Sequence, residues 1–297
     1  MSIKREEKRK KSFGDALSTI IIVLALAVAA YAGYQLFNIW REYQVGVDEY
    51  KGLEVYADTE RVTEGLEPDM EENVTLGDQW GDVSVHELET HVRLENMENP
   101  IDFAGLKSVN DEVIGWLEMG AIDVSYPIAQ AEDNDFYLHQ TIQKTYNFAG
   151  SIFVDCMNSS SFGDRNTIVY GHNMKNGSMF GMLKKYRERE VFDKDPYFWI
   201  YTPDYIYKYE IFACAEVDQF SKNYQISFLS KDSFEEFLMN AKKQSQLDTG
   251  ISVDPGDTVV TLSTCTGNEA TRFIVQGKRV RTYRSVPKAG GYETETQ

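Results

Sequence analysis

Residues 257–283 read DTVVTLSTCTGNEATRFIVQGKRVRTY. Two strand-like runs, 257–265 and 272–283, flank a short polar stretch, which is the pattern of a β-hairpin. The first run ends in small hydroxyl residues and Cys265, and the second begins at Arg272. Pairing of the two strands would return Arg272 to a position beside Cys265. The segment therefore predicts a rigid strand end that presents a thiol next to a permanent positive charge.

A cysteine nucleophile needs an acid–base partner and a group that stabilises oxyanion charge. The chain has four histidines: His86, His91, His139 and His172. The first two lie in an acidic region, and His139 follows a possible helical turn. His172 ends the strand-like run 166–173, NTIVYGHN, in which Gly171 allows a sharp turn. A lone histidine at a strand end is more often structural than catalytic, but its pairing with the Cys265 segment favours His172 as the partner.

The rest of the region from about Ile101 to Ser285 alternates apolar runs with turn signals, which predicts many short strands. The other strand-like runs are 113–119, 124–130, 150–155, 166–171, 197–202 and 207–217. This composition is typical of a β-barrel or β-sandwich. A short helix is predicted over 179–186.

A longer helix is predicted from Ser233 to about Leu247. Asp232 can cap it, and Glu235 follows three residues later as in a capping box. Four apolar residues fall at helical spacing on one face: Phe234, Phe237, Leu238 and Ala241. We expect this stripe to pack on the sheet.

Residues 16–40 read ALSTIIIVLALAVAAYAGYQLFNIW, without a charged residue. A helix of about 20 apolar residues spans a bilayer, so this run is long enough for a membrane anchor. The competing interpretation is a cleaved signal peptide, because Ala30-Tyr31-Ala32 matches the small-residue cleavage pattern. The run continues to Trp40, which favours the anchor. A basic flank before the run and an acidic flank after it predict a cytoplasmic N-terminus, with the rest of the chain outside the cell.

The whole chain of 297 residues has a formal net charge of -17, which argues against a nucleic-acid partner because phosphate binding needs a basic face. Its 42% hydrophobic content is sufficient for a packed core. Besides Cys265 there are two cysteines, Cys156 and Cys214, both in apolar, strand-like runs. We expect both to be buried small hydrophobic residues. A disulfide between them is the alternative.

The motif TLSTC followed closely by an arginine resembles the signature of the sortase family. The YGHN segment around His172 resembles the histidine segment of the same family, and the basic flank with its apolar run fits a sortase anchor. Further segments resemble class B sortases in particular: GWLEM, DNDFYL, GSIFVD, NTIVYGHNMKNGSMFGMLKKY and the long helix before TLSTC. The resemblance covers 101–285. Two departures are the long acidic spacer and Thr266, which stands where some relatives have an acidic residue.

The resemblance implies a mainly β fold, a closed sortase-type β-barrel with flanking helices and a long helix inserted before the catalytic strand, in addition to the N-terminal transmembrane helix. It implies Cys265, His172 and Arg272 as nucleophile, acid–base group and oxyanion-binding group. The implied substrate-binding residues are Ser263, Thr264, Asn134, Leu138 and Tyr224, although Tyr224 could be an ordinary surface tyrosine. No cofactor and no metal are implied.

With this resemblance, the chain divides into five segments. They are a basic cytoplasmic tail (1–15), a transmembrane anchor (16–40), an acidic spacer with an N-terminal helical region (41–100), the sortase catalytic domain (101–285) and a flexible tail (286–297). Because the first two segments serve only for location, we expect a fragment starting between about Asp78 and Ile101 to fold and to act on peptides.

The implied function is a membrane-anchored cysteine transpeptidase that cleaves surface proteins after the Thr of an NPxT-like or [SP]PxTG-like sorting motif. It would pass the acyl chain through a thioacyl enzyme to an amine of a cell-wall peptide. Three alternatives remain. One is a sortase that polymerises pilins through a lysine, and another is a hydrolytic cysteine peptidase, although the order of His172 before Cys265 argues against papain-like enzymes. The third is a non-enzymatic adhesion or sensor domain.

Overall fold

The N-terminal part of the chain is one long helix. The computed structural model describes residues 13–58, 94–268, 270–289 and 291–292. Helix α1 spans Phe13–Leu53. Within the described residues, the helical stretch Leu17–Tyr56 is long and apolar enough to cross a membrane, with a mean hydropathy of 2.1 in its most apolar window. The basic tail, His86, His91 and most of the acidic spacer lie outside the described residues.

The chain forms two compact units, residues 1–45 and 46–297. The second unit includes the last turns of α1, where Tyr50 and Leu53 are buried. The Tyr50 hydroxyl lies 2.8 Å from the carbonyl oxygen of Gly150 and 3.0 Å from Oγ of Ser151. Ala57 then forms an isolated bridge with Ile101. Residues 46–58 of the acidic spacer are therefore packed against the β-rich region.

Nine strands form a single sheet within the described residues. They are β1 (Asn96–Glu98), β2 (Val113–Met119), β3 (Val124–Ala129), β4 (Ile152–Val154), β5 (Asn166–Tyr170), β6 (Tyr197–Tyr201), β7 (Tyr205–Asp218), β8 (Val259–Cys265) and β9 (Thr271–Val286). The order is β1-β9-β7-β6-β2-β3-β4-β5-β8, and β8 also pairs with β9. This last pairing closes eight strands into a barrel, with β1 parallel to β9 outside the ring. The predicted mainly β, closed-barrel fold is confirmed.

The predicted long helix is present as α5. In the described residues, three short α-helices lie between α1 and α5: α2 (Phe103–Val109), α3 (Phe136–His139) and α4 (Arg189–Lys194). Helix α5 spans Lys231–Gln244. The four-residue apolar stripe of α5 is buried against Phe212, Ala213 and Val259, as expected. The cap was predicted wrongly. Ser230, rather than Asp232, caps the helix, and it forms a capping box with Ser233 instead of Glu235.

The predicted helix over 179–186 is also wrong in its bounds. A 3-10 helix spans Leu183–Arg187, and the preceding residues form turns. Met179 has a φ of 51°, in the left-handed region, and Gly177 has a φ of 85°. A right-handed helix cannot continue through such residues, so the helix begins only after them.

All three cysteines are free. Cys214 is buried in β7, and burial raises the pKa of its thiol to about 11. Cys156 is half-buried, because it lies in the turn after β4 rather than within the strand. The expectation of a buried Cys214 is correct, the expectation of a buried Cys156 is wrong, and the alternative disulfide is not formed.

Candidate active site

Cys265 and Arg272 face each other across the β8–β9 hairpin. Cys265 is the last residue of β8, and its partner in the antiparallel register is Arg272. Both side chains are half-buried. Because the register is fixed by seven consecutive residue pairs from Val259 to Cys265, the hairpin holds the thiol and the guanidinium side by side at the strand end.

His172 reaches the same end of the sheet from the other neighbour of β8. Strand β5 runs parallel to β8, and their last pair is Tyr170 with Ser263. The Gly171 N–H donates to the Ser263 carbonyl oxygen at 3.1 Å, which extends the ladder by one residue. His172 and Cys265 each lie two residues beyond this last pair. Parallel strands end at the same edge, so the three adjacent strands bring His172, Cys265 and Arg272 together.

Gly171 is needed here for space rather than for a turn. Its φ lies outside the left-handed region, contrary to the expectation of a sharp backbone turn. A Cβ at this position would lie 2.5 Å from Cδ1 of Ile152 and 2.7 Å from Cδ2 of Phe180. The absence of a side chain therefore lets the strand end carrying His172 pack closely against both neighbours.

The imidazole of His172 is held by the short helix α3, which contains Leu138. Its Nε2–H donates to the carbonyl oxygen of Leu138 at 2.8 Å. Burial lowers the pKa of His172; the bond to Leu138 opposes this, and the nearby His139 adds to it. The ring of His139 lies 6.4 Å from that of His172, but it is exposed and also stacks against Tyr146. Burial therefore favours a neutral His172, and the Leu138 carbonyl places its proton on Nε2, which leaves Nδ1 for proton exchange.

Arg272 is oriented by its own hairpin and by the end of β7. Its Nη1 donates to the carbonyl oxygen of Thr271 at 3.0 Å, and its Nη2 donates to Oε1 of Gln219 at 3.4 Å. Gln219 was not identified from the sequence, because nothing in its neighbourhood shows that β7 ends beside β9. Thr266, between β8 and β9, lies 2.5 Å from Thr271 through their hydroxyl oxygens. It closes the hairpin loop.

Ser263 and Thr264 lie on opposite faces of β8. Alternation along the strand places Ser263 on the face of Cys265 and Thr264 on the other. The hydroxyl oxygens of Ser263 and Tyr224 are 2.7 Å apart, so the structure brings these two residues together. Thr264 is buried, and its Oγ1 has no hydrogen-bond partner among the described residues. Its orientation separates it from the thiol.

Tyr224 lies at the end of the 3-10 helix Lys222–Tyr224, half-buried rather than on the open surface. It packs against a small buried cluster formed by Ala215, Val217 and Ile274. Burial raises the pKa of Tyr224 to about 12, and the charge of Arg272 acts in the opposite direction. Its phenol therefore stays protonated as a hydrogen-bond donor beside the site.

The last two predicted residues come from the segment around α3. Leu138 acts through its carbonyl oxygen, the acceptor for His172. Asn134 donates from Nδ2 to Oδ2 of Asp155 at 2.9 Å and accepts from the Cys156 N–H at 2.8 Å. Asp155 was missed from the sequence, since a single aspartate after an apolar run gives no sign of its partners.

The described part of the chain contains no group of three or more His, Cys, Asp and Glu side chains arranged to hold a metal ion. What the site does offer is a half-buried thiol with an imidazole on one side and a guanidinium on the other. Such a combination is suited to nucleophilic attack on a carbonyl, with proton transfer and charge stabilisation.

Comparison with known proteins decides the family. A model of the Sortase domain matches residues 117–280, a range that includes all three residues at the strand ends. The chain belongs to the sortase family. The sortase B of Listeria monocytogenes is 38% identical over 178 residues, which cover 59% of this chain and 72% of that protein.

Solved sortase structures share the fold. Sortase B from Bacillus anthracis, in complex with AAEK2, has a TM-score of 0.58 and 36% identity, and the match covers 64% of this chain and 89% of that one. A Staphylococcus aureus sortase B–substrate complex has a TM-score of 0.57 and 25% identity, over 60% of this chain and 84% of that one.

These similarities show that the chain is a sortase-type cysteine transpeptidase for proteins that carry a sorting motif. Within the family, the chain is similar to class B sortases. Sortases act on surface proteins, so the predicted substrate class is supported at this level. The non-enzymatic alternative is excluded by membership of the sortase family.

Proposed function

We propose that this sortase is anchored in the cell membrane and joins surface proteins to the cell wall. It cleaves after the Thr of an NPxT-like or [SP]PxTG-like sorting motif and transfers the acyl chain to an amine of a cell-wall peptide. The observation that carries this proposal is the convergence of β5, β8 and β9, whose ends bear His172, Cys265 and Arg272.

In the first half-reaction, the Cys265 thiol passes its proton to Nδ1 of the neutral His172, and the resulting thiolate attacks the carbonyl carbon of the motif's Thr. Arg272 stabilises the negative charge that develops on the carbonyl oxygen. The peptide C–N bond then breaks, and His172 donates a proton to the leaving amine. The product is a thioester between Sγ and the Thr acyl group.

In the second half-reaction, an incoming amine attacks the thioester carbonyl. His172 accepts a proton from this amine, the new C–N bond forms, and the C–S bond breaks to regenerate the thiolate. The thioester conserves the energy of the cleaved peptide bond, so transfer needs no nucleotide outside the cell. Ser263, Tyr224, Asn134 and Leu138 are proposed to line the groove for the motif. Thr264 is also proposed to bind the substrate, and its side chain would do so from the opposite face of β8 to Cys265.

The proposed arrangement of the chain follows from its charges and from helix α1. Residues 1–15 are a cytoplasmic tail, 16–40 a single transmembrane segment, 41–100 an acidic spacer, 101–285 the extracellular catalytic domain and 286–297 the C-terminal tail. The apolar helix in the described residues supports membrane association, and the excess of Lys and Arg before it supports a cytoplasmic N-terminus.

The test uses full-length protein in detergent micelles, with labelled peptides carrying each of the two motifs. Each peptide is incubated with a wall-type peptide amine or with a lysine-containing pilin-like peptide. Mass spectrometry should show an adduct between motif peptide and wall-type amine that forms only when both are present. A preference for the lysine peptide would favour pilin polymerisation. Hydrolysed peptide alone, at every amine concentration, would favour a peptidase.

A further inference from the structure

A buried carboxylate lies behind the proposed groove and is used by none of the catalytic steps. Asp155 follows β4 and is 7% exposed. Its Oδ1 accepts from the Met157 N–H at 2.9 Å. Its Oδ2 accepts two further bonds, from Nδ2 of Asn134 and from the Tyr170 hydroxyl, each at 2.9 Å. Three donors therefore converge on one carboxylate.

The partners of Asp155 lead to both sides of the site. Tyr170 ends β5, two residues before His172, and its ring stacks against Tyr224 with 6.5 Å between centroids and 15° between planes. Tyr224 in turn contacts Ser263. Asn134 leads in the other direction, to helix α3, which begins two residues later and contains Leu138. Asp155 is thus the group that ties the Asn134 side of the groove to the Tyr224 side.

The chemistry of the partners requires a carboxylate. Burial, followed by the charge of Asp155, raises the pKa of Tyr170, so its hydroxyl remains a proton donor. Three donors need an acceptor at both oxygens, which an ionised carboxylate provides. An asparagine offers one acceptor and one NH₂ group, so either the Met157 side or the Tyr170–Asn134 side would face a second donor.

We propose that Asp155 is a positioning residue, whose buried carboxylate sets Asn134 and Tyr170, and through Tyr170 the ring of Tyr224, in the geometry that seats the sorting peptide. This inference rests on the proposed function. The reacting groups are held by other contacts, namely the β-ladders and the Leu138 carbonyl oxygen. Loss of Asp155 therefore weakens peptide binding more than it slows the chemical step.

The experiment compares full-length wild type and Asp155→Asn in micelles, with the motif peptide that the wild type cleaves. We expect KM to rise about tenfold with kcat within about twofold, because a buried donor loses its acceptor. Tyr170→Phe removes one donor and should raise KM less. In the double variant Asp155→Asn/Tyr170→Phe, the new asparagine amide faces one donor fewer. Its KM should therefore not exceed that of Asp155→Asn alone. Such non-additivity would not arise from general destabilisation.

Asp164→Asn is the matched control. Asp164 precedes β5 and accepts from Nδ2 of Asn158 at 2.6 Å and from the Ser159 N–H at 2.7 Å, neither of which is a proposed groove residue. It should leave KM and kcat unchanged. Iodoacetamide labelling of Cys265, located by mass spectrometry, should proceed equally in wild type and Asp155→Asn.

The outcomes are distinguishable. A wild type that cleaves neither motif would overturn the proposed function and this inference with it. Cleavage by the wild type with an equal KM in Asp155→Asn, or a loss confined to kcat, would overturn this inference alone. If Asp155→Asn does not fold, Tyr170→Phe decides, since it removes only a hydroxyl: an unchanged KM there would overturn the link between Asp155 and the groove.

Discussion

The Nε2–H of His172 donates to the carbonyl oxygen of Leu138, 2.8 Å away. This bond fixes the tautomer of the neutral ring, because a carbonyl can only accept. Nδ1 is then the nitrogen that exchanges protons in the proposed reaction. Helix α3 thus contributes to the proposed reaction through a backbone atom, which no substitution of the Leu138 side chain would remove directly.

His139→Gln should move the pH dependence of the reaction upward. A positive charge on His139 disfavours the imidazolium of His172, so its removal raises the pKa of His172. The pH profile of kcat/KM should be bell-shaped, and its limb that reports His172 should shift to higher pH in the variant. His172→Ala should be inactive. Full activity in His172→Ala, with loss in His139→Ala, would assign the role to His139 instead.

Cys265→Ala should abolish peptide cleavage, and Cys265→Ser should leave almost none, because a serine hydroxyl is a far weaker nucleophile without strong base activation. Cys214→Ala and Cys156→Ala are the controls. Cys214 is buried with a raised thiol pKa of about 11, and Cys156 lies beyond β4, so both variants should retain activity. A folded but inactive form of either control would show that the nucleophile is assigned wrongly.

Arg272→Lys should lose roughly 10²–10³-fold in kcat, the usual cost of an oxyanion donor. A lysine keeps the charge but cannot contact the Thr271 carbonyl, Gln219 and a substrate oxygen with one planar group. Arg281→Lys, on the same strand but opposite Lys208, should have little effect on cleavage. Steady-state kinetics with the motif peptide measure both, and an active Arg272→Lys would remove Arg272 from the catalytic residues.

A fragment starting at Gly46 should be more stable than one starting at Glu95. The shorter fragment loses the burial of Tyr50 and Leu53, which contributes roughly 3 kcal/mol or more to the free energy of unfolding. It also loses the hydrogen bond from the Tyr50 hydroxyl to the Gly150 carbonyl oxygen. Fragments starting between about Asp78 and Ile101 should therefore fold but be less stable than the fragment starting at Gly46.

Urea unfolding of the two fragments measures this difference. Tyr50→Phe in the longer fragment removes only the hydroxyl and should cost less than the truncation. Equal unfolding free energies of the two fragments would contradict a structural role for the end of α1.

The β8–β9 hairpin could be predicted from the sequence, because two strand-like runs flank a short polar stretch. Pairing of these runs places Cys265 beside Arg272, as the structure shows. The apolar stripe of α5 was equally readable, since helical spacing fixes a face. Its cap was not. Ser230 and Asp232 are both good capping residues, and only the path of the chain before the helix selects one.

Contacts made by loop residues could not be predicted from the sequence for a different reason. Gln219 and Asp155 reach their partners across strands that are distant in the chain, so no local pattern marks them. The left-handed φ of Met179 is also not a property of methionine. It is imposed by tertiary packing, which overrides the local preference for helix. The roles of the site residues and the five segment boundaries stay predictions.

The parallel pairing of β5 with β8 has a consequence for folding kinetics. Asn166 pairs with Val259 across the intervening β6, β7 and α5, so this contact has a large sequence separation and closes a long loop. A collapsed intermediate in which β8 has not yet docked contains the thiol without an imidazole beside it. During refolding, peptide cleavage should therefore recover with the slowest structural phase, and the return of turnover would report closure of the barrel.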